Sequence, residues 1–423
     1  MYNLFIFLLL LLYLPKILYD LLFRKKYRKA LLYRLGLKSF SFERKQDDFV
    51  IWIHAVSLGE TRSGKELVQK IQQSHPKAKI VFSSGTETGH AEARRIAGDC
   101  AFFLPLDFSW TMRKLVQKIR PQLLILIETD FWYHHLHFAK LSGAKILLVS
   151  GKISKKSVRL YRVFTSFSQK LFGHFDLFSV QNNTYKKRFE TAGADPQKIV
   201  VTGNLKYDQN TPFLSSQELR GWKEKMGIYE EDHVVTIAST HAPEEKWLAG
   251  QMQKVWQRDP DIKILLAPRH PERFASVASL LRAQNIPFIA LSKLHLKKST
   301  EKVILIDAMG FLPICYQLSE LAIIGGSFTD KIGGHNILEP NFYHVPVFFG
   351  PYMAAQADLK KIVLTAKAGA QVPLGEIADR LESFFEDAAY RAQLKEATKG
   401  LIHSLKGRLG ETYRAIEPFL GNP

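Results

Sequence analysis

The sequence predicts an α/β protein built from two consecutive doubly wound domains, and three observations carry that prediction. From Phe49 onward, short aliphatic runs alternate with longer amphipathic segments, the pattern of a parallel sheet covered by helices. The alternation pauses once, over residues 209–216 (QNTPFLSS), and then restarts. The chain is 423 residues long, beyond the size at which one core stops growing, and 46% of it is hydrophobic, enough for two cores.

Taken in order, the first element is residues 3–23, NLFIFLLLLLYLPKILYDLLF, followed at once by Arg24, Lys25, Lys26, Arg28, Lys29 and Arg34. No basic stretch precedes the apolar run and no small-x-small cleavage site follows it, so it reads as a retained membrane anchor rather than a removed signal. Basic residues on its C-terminal side place the main body on the cytoplasmic face, against anionic lipid headgroups. Pro15, Lys16 and Asp20 leave a clean apolar core of only about a dozen residues, where spanning needs about 20. Both a spanning and an interfacial arrangement therefore fit.

Strands are expected at 50–56, 79–84, 101–106, 123–128, 145–150 and 177–180, each followed by a helical segment. After the pause they recur at 233–239, 263–267, 287–290, 303–306, 321–324 and 346–349, and residues 376–419 read as helices closing the second domain. The expected division is an anchor over 1–23, a first domain over 24–208, a linker over 209–216 and a second domain over 217–423. In open α/β sheets ligands sit outside the carboxyl ends of the strands, so residues that follow strands are the ones to inspect.

Composition narrows the chemistry. A formal net charge of +19 attracts anions, whether nucleic acid, an acidic membrane or a phosphorylated substrate. The clearest basic cluster follows the apolar segment, which favours the membrane. Only Cys100 and Cys315 occur, each in or beside an apolar stretch, which fits a reducing compartment and excludes a disulfide framework or a cysteine zinc site.

After the first strand, residues 54–60 (HAVSLGE) turn into a helix with Glu60 in its first turn, where the helix dipole favours a carboxylate. Glu60 there is either part of the helix start or a general base. Residues 127–132 (IETDFW) place Glu128 and Asp130 at the end of an aliphatic strand. His134, His135 and His137 follow, but their spacing on a helix does not turn all three toward one ion. In the second half, APRHP (267–271) holds Arg269 between prolines, a side chain shaped to grip a phosphate or carboxylate at two points. Asp307-Ala308-Met309-Gly310 ends another strand. Residues 325–340, GGSFTDKIGGHNILEP, combine two glycine pairs and His335 with Asn336 and Glu339 at an expected helix start. Bare amides there would make an anion site, and the same Asn-x-x-Glu spacing would make a capping box.

Together HAVSLGE, IETDFW, VTGNLKYD, AST before His241, LLAPRHPERF, DAMG, IIGGS and GGHNILEP, in that order from Ile51 to Pro340, resemble the 3-deoxy-D-manno-octulosonic acid (Kdo) transferases of lipopolysaccharide assembly. The resemblance implies a GT-B architecture: two Rossmann-like domains facing a central cleft, the acceptor on the first and CMP-Kdo on the second. It implies Glu60 as proton acceptor, and Glu128 and Lys206 as transition-state stabilisers. It also implies CMP contacts from Pro268 and Arg269, from Met309, Gly310 and Phe311, and from Asn336, Ile337, Leu338 and Glu339. Tyr133, Phe311 and Ile337 depart from the family's usual proline, acid and proline. These changes leave backbone contacts intact and take an acidic side chain away from position 311.

The expectation is an inverting transferase that moves Kdo from CMP-Kdo to a phosphorylated lipid A precursor of the lipid IVA type. It would work at the cytoplasmic side of the inner membrane, bound to anionic lipids, without a metal, another cofactor or nucleic acid. A nucleotide-sugar epimerase of the same fold, and a membrane-tethered nucleic-acid-binding protein, are the alternatives.

Overall fold

The computed structural model describes residues 2–22, 30–38, 40–208, 211–294 and 300–421. The basic residues Arg24, Lys25, Lys26, Arg28 and Lys29 lie outside them, as do residues 209 and 210 of the expected linker. The chain forms two compact units, one of Met1–Gln209 with Leu405–Pro423 and the other of Asn210–Ser404.

The first unit is built on seven strands: β1 Val50–Ala55, β2 Lys79–Ser84, β3 Ala101–Phe103, β4 Leu123–Ile127, β5 Lys145–Gly151, β6 Leu177–Val180 and β7 Ile199–Val201. They pair in parallel in the order β3-β2-β1-β4-β5-β6-β7. A parallel sheet is covered on both faces, which is why VIWIHA and LLILI are buried at every position. Alternate β1 side chains enter different cores. Val50 and Trp52 pack with Phe102, Leu126 and Phe172, whereas Ile51 and Ile53 pack with Phe82, Ile125 and Leu67. The strand order reverses beside β1, so the carboxyl ends of β1 and β4 flank the natural ligand crevice of this unit.

Two boundaries differ from the sequence expectation. The helix Arg408–Ile416, read as part of the second domain, packs in the first unit: Tyr413, Ile416 and Leu420 join the core under β1. Tyr413 donates its hydroxyl hydrogen bond to Ser74 at 2.6 Å, and Thr412 donates to Thr202 at 3.1 Å. Its amphipathic pattern shows that the helix packs, but not against what.

The second difference concerns the N-terminal helix, Tyr2–Leu22. Its first turn is part of the first unit rather than a free anchor. Asn3 accepts from Ser109 N at 3.0 Å and donates to Ser109 Oγ at 2.8 Å, so it caps the helix Ser109–Ile119 from outside. Tyr2 meets the His134 ring edge-on at 4.7 Å, and Ile6 is buried. Away from these contacts Leu4, Phe5, Phe7, Leu8, Leu11 and Leu12 are exposed. Among the described residues no helix is long and apolar enough to cross a membrane.

The second unit repeats the architecture with β8 His233–Thr240, β9 Ile262–Pro268, β10 Phe288–Ala290, β11 Val303–Leu305, β12 Leu321–Ile324, β13 Val347–Phe349 and β14 Gly369–Gln371. The parallel order is β10-β11-β9-β8-β12-β13-β14, with the reversal between β8 and β12. The end of the expected linker already belongs to this unit: Leu214 N donates to Gln317 at 2.7 Å, and Phe213 stacks on His344 at 5.6 Å. Ser215 and Glu218 then form the capping box that starts Ser216–Met226.

Candidate active site

In the first unit the chain leaves β1 at Ala55, and Ser57 caps the helix Leu58–Ser74. Glu60 meets the capping expectation directly. Its Oε2 accepts from Val56 N at 2.7 Å and Ser57 N at 3.2 Å, closing a capping box, while the carboxylate sits buried at the carboxyl end of β1. Burial and the neighbouring Glu128 carboxylate push its pKa up against the pull of those two amides.

Glu128 follows β4, with both carboxylate oxygens gripped. Lys206 Nζ lies 2.6 Å from Oε1 and Lys152 Nζ lies 2.6 Å from Oε2. Burial raises the Glu128 pKa, and Lys206 with Lys152 outweighs it, so the group is held below the usual carboxylate range. Glu128 and Asp130 have φ of 67° and 84°, a region that non-glycine residues enter at a cost and that concentrates at functional sites. The sequence reading missed Lys152. It follows β5 as Glu128 follows β4, and because these strands are neighbours, Lys152 N reaches Glu128 O at 3.0 Å. Lys206 is placed by Leu205 N donating to Ser150 Oγ at 2.9 Å. On its other side Asp208 accepts from Gly407 N at 2.7 Å and from Leu409 N, at the start of the C-terminal helix.

A second pair joins β1 to the β4 loop: His54 Nε2 lies 2.8 Å from Asp130 Oδ2, and His54 Nδ1 lies 2.8 Å from Ser83 Oγ. Trp52 Nε1, which can only donate, reaches the same Ser83 oxygen at 2.7 Å. All three bonds are satisfied when Ser83 donates to Nδ1 and Nε2–H donates to Asp130. Beside them a pocket of about 370 Å³ is lined by Asp130, Lys152, Ser154, Ser157, Tyr161 and Tyr185. The three nearby histidines turn to different neighbours: His134 to the Asp107 carbonyl at 2.6 Å, His135 to the Trp52 ring and His137 to Tyr133.

In the second unit Arg269 follows β9, and its backbone N–H donates to Thr240 O at 3.1 Å. The glycine-rich stretch differs from expectation in two ways. Its amides are not bare: the buried Glu244 carboxylate accepts from Gly326 N at 2.7 Å, Phe328 N at 2.9 Å and His241 N at 3.0 Å. No α-helix starts at Asn336 either. Asn336 Oδ1 accepts from Leu338 N at 3.1 Å, and Glu339 precedes only a short 3₁₀ turn, Pro340–Tyr343, without a capping box. Gly333 and Gly334 have φ of 82° and 91°, and a Cβ on them would strike Ala355 and Met353, so packing explains them.

The other expected contacts divide between surface and core. Ile337 and Leu338 are buried core residues, leaving only their backbone for a ligand. Burial holds the Glu339 pKa above its ordinary value against the pull of Arg269. Met309 is exposed and Gly310 has φ 87°, while Phe311 turns inward against Trp222 with ring centroids 5.8 Å apart. Pro268 ends β9 in the core. The pair that sequence spacing did not show is His241 and His335, whose Nε2 atoms are 2.7 Å apart.

Residues 29–209 match the profile of the 3-deoxy-D-manno-octulosonic-acid transferase (kdotransferase) family. The chain is 32% identical to the 3-deoxy-D-manno-octulosonic acid transferase of Chlamydophila psittaci, over 99% of this chain and 96% of that protein. A glycosyltransferase from Rickettsia africae shares the fold, with TM-score 0.59 and 15% identity, covering 89% of this chain and 100% of that one. So does the UDP-GlcNAc 2-epimerase of Neisseria meningitidis, with TM-score 0.55 and 11% identity, covering 84% and 99%. Two parallel sheets of the GT-B type, with acids and lysines at the carboxyl ends of their strands, thus accompany near full-length similarity: the chain belongs to the 3-deoxy-D-manno-octulosonic acid transferase family and is a glycosyltransferase.

Proposed function

We propose that the protein transfers Kdo from CMP-Kdo to a phosphorylated lipid A precursor at the cytoplasmic face of the inner membrane, with inversion at the anomeric carbon. The observation that carries this reading is the Glu60, Glu128, Lys152 and Lys206 cluster at the β1/β4 reversal, in a chain of this family. Glu60 takes the proton from the attacking acceptor hydroxyl, and its raised pKa makes it a stronger base than an ordinary glutamate. Lys206 and Lys152, fixed by Glu128, offset negative charge that develops in the transition state. Arg269 and backbone amides of 309–311 and 336–339 hold the CMP moiety, and no metal is required. The exposed apolar side of Tyr2–Leu22 and the basic residues after it attach the enzyme to acidic lipid at the interface.

The epimerase reading rests on fold alone, and folds host many chemistries. Incubating the full chain with CMP-Kdo and a tetraacylated lipid A precursor, then weighing the product, tests the proposal. A mass increase of whole Kdo units with release of CMP is expected. An unchanged lipid, with the nucleotide sugar hydrolysed or epimerised, would refute it.

A further inference from the structure

His241 follows β8 and His335 lies in the loop after β12, the two strands that flank the reversal of the second sheet. Their rings lie 17° from parallel with centroids 5.0 Å apart, and their Nε2 atoms are 2.7 Å apart. A hydrogen bond this short needs one Nε2–H and one bare Nε2; two N–H groups would repel. We propose that this pair is a phosphate-responsive proton reservoir: neutral and self-bonded in the free enzyme, it parts and takes up one proton from solvent when a phosphodiester binds beside Arg269. This rests on the assignment of the nucleotide to the second unit.

The surroundings favour such a switch. His270 meets the His241 ring at 5.3 Å, and Arg269 and Arg273 complete a cationic rim from the β9 side. The nearby carboxylates are engaged elsewhere. Glu244 turns its oxygens to the amides of His241, Gly326 and Phe328, Glu245 pairs with Arg273 at 3.1 Å, and burial, which disfavours its charge, holds the Glu339 pKa up against the pull of Arg269. Burial, then His241, Arg269 and His270, push the His335 pKa down to about 4; burial and the same rim lower that of His241. A phosphodiester monoanion would bring the missing negative charge and two acceptor oxygens, one for each Nε2–H. The acceptor histidine keeps its Nδ1–H and gains a proton at Nε2, so the pair goes from neutral to one positive charge. When the glycosyl–phosphate bond breaks, its electron pair stays on the phosphate oxygen, and the imidazolium faces that second negative charge.

The test is calorimetry of the detergent-solubilised full chain with the 5′-methyl phosphate ester of cytidine, whose phosphodiester and base both keep their protonation state around the working pH. Comparing buffers of different ionisation enthalpy at pH 6.5 gives the protons taken up per ligand. Uptake approaching one is expected, with Kd weakening about tenfold per pH unit between the pKa of the free pair and the higher pKa of the bound pair, and levelling off above the latter. His241→Gln and His335→Gln should each reduce uptake to near zero while retaining binding weakened about tenfold, and His270→Gln should retain the uptake. Thermal unfolding of each variant checks that it is folded. Binding without proton uptake in the unaltered chain, uptake that survives in both Gln variants, or uptake lost only in His270→Gln would overturn the reservoir while leaving the nucleotide assignment standing. No binding at all would overturn both.

Discussion

Lys152 holds the Glu128 oxygen that Lys206 leaves open, each at 2.6 Å, so one buried carboxylate fixes two ammonium groups about a third exposed to solvent. Lys152→Met should therefore free Glu128 Oε2 and let Lys206 shift. We expect kcat to fall by roughly 10²-fold, the scale of removing one electrostatic stabiliser, and stability to fall by roughly 1–3 kcal/mol after discounting for solvent screening. Because the Glu128 pKa is depressed, its contribution is present above the ordinary carboxylate range and lost as pH falls through the folded value. Loss of the lysine should raise that folded value and move acid unfolding to higher pH. Rates and urea unfolding between pH 3 and 7 measure both effects.

Glu60→Gln keeps a hydrogen-bonding side chain at the helix start but removes the base. Turnover should drop by roughly two to four orders of magnitude, with CMP affinity unchanged. In the unaltered enzyme, the acidic limb of kcat/KM should titrate above the usual glutamate range, because burial and Glu128 raise the Glu60 pKa. Near-normal turnover in the variant would leave Glu60 a capping residue only.

Asp107 accepts from the backbone N–H groups of His134 and His135, both at 2.8 Å, and burial pushes its pKa up to about 7. The folded state then binds a proton that the unfolded chain, with a carboxyl near 4, does not. Stability from this group is complete below about pH 4 and falls as pH rises through about 7. Asp107→Asn should remove that slope from a plot of Tm against pH, and Asp107→Ala should remove it while lowering Tm at every pH.

A protein beginning at residue 24 loses Tyr2, Asn3 and Ile6 from the first unit. It should fold but with a lowered Tm and reduced stability, about 1 kcal/mol of the loss reflecting the missing cap on Ser109–Ile119. It should also leave acidic vesicles at lower salt than the full chain. An unchanged Tm would return the whole helix to the role of a detached anchor.

Arg269→Ala should weaken CMP binding by roughly 1.5–3 kcal/mol, the range for a charge-assisted hydrogen bond. Activity should persist after exhaustive EDTA treatment, with acceptor dispersion checked separately because divalent ions bridge lipid phosphates. Recovery that depends on one particular divalent ion would contradict the metal-free reading.

Strand positions were legible because buried parallel strands leave long aliphatic runs: 79–84, 177–180 and 321–324 coincide with β2, β6 and β12. The strands β7 and β14 escaped because each is a three-residue edge strand, and Val200 and Val201 are exposed. Glu60 and Glu128 could be singled out as strand-end acids, but their partners could not. Lys152 looks like any lysine after a strand until β4 and β5 are neighbours. Glu244, which occupies the glycine-loop amides, lies 82 positions before Gly326. Asn336 and Glu339 have the spacing of a helix start, yet Pro340 follows and Ile337 and Leu338 are drawn into the core, so a short turn forms instead.

Because the helix Arg408–Ile416 returns to the first unit, the second unit is an insertion within the first. During synthesis β1–β7 leave the ribosome long before the segment that covers Ile51 and Ile53 and clamps Asp208. The first unit must wait, with one face of its sheet incompletely covered, while the entire second unit is made. The loop carrying Lys206 gains its anchorage only as Gly407 and Leu409 emerge. Truncation just after Ser404 should therefore abolish activity while the second unit, complete by then, still binds nucleotide.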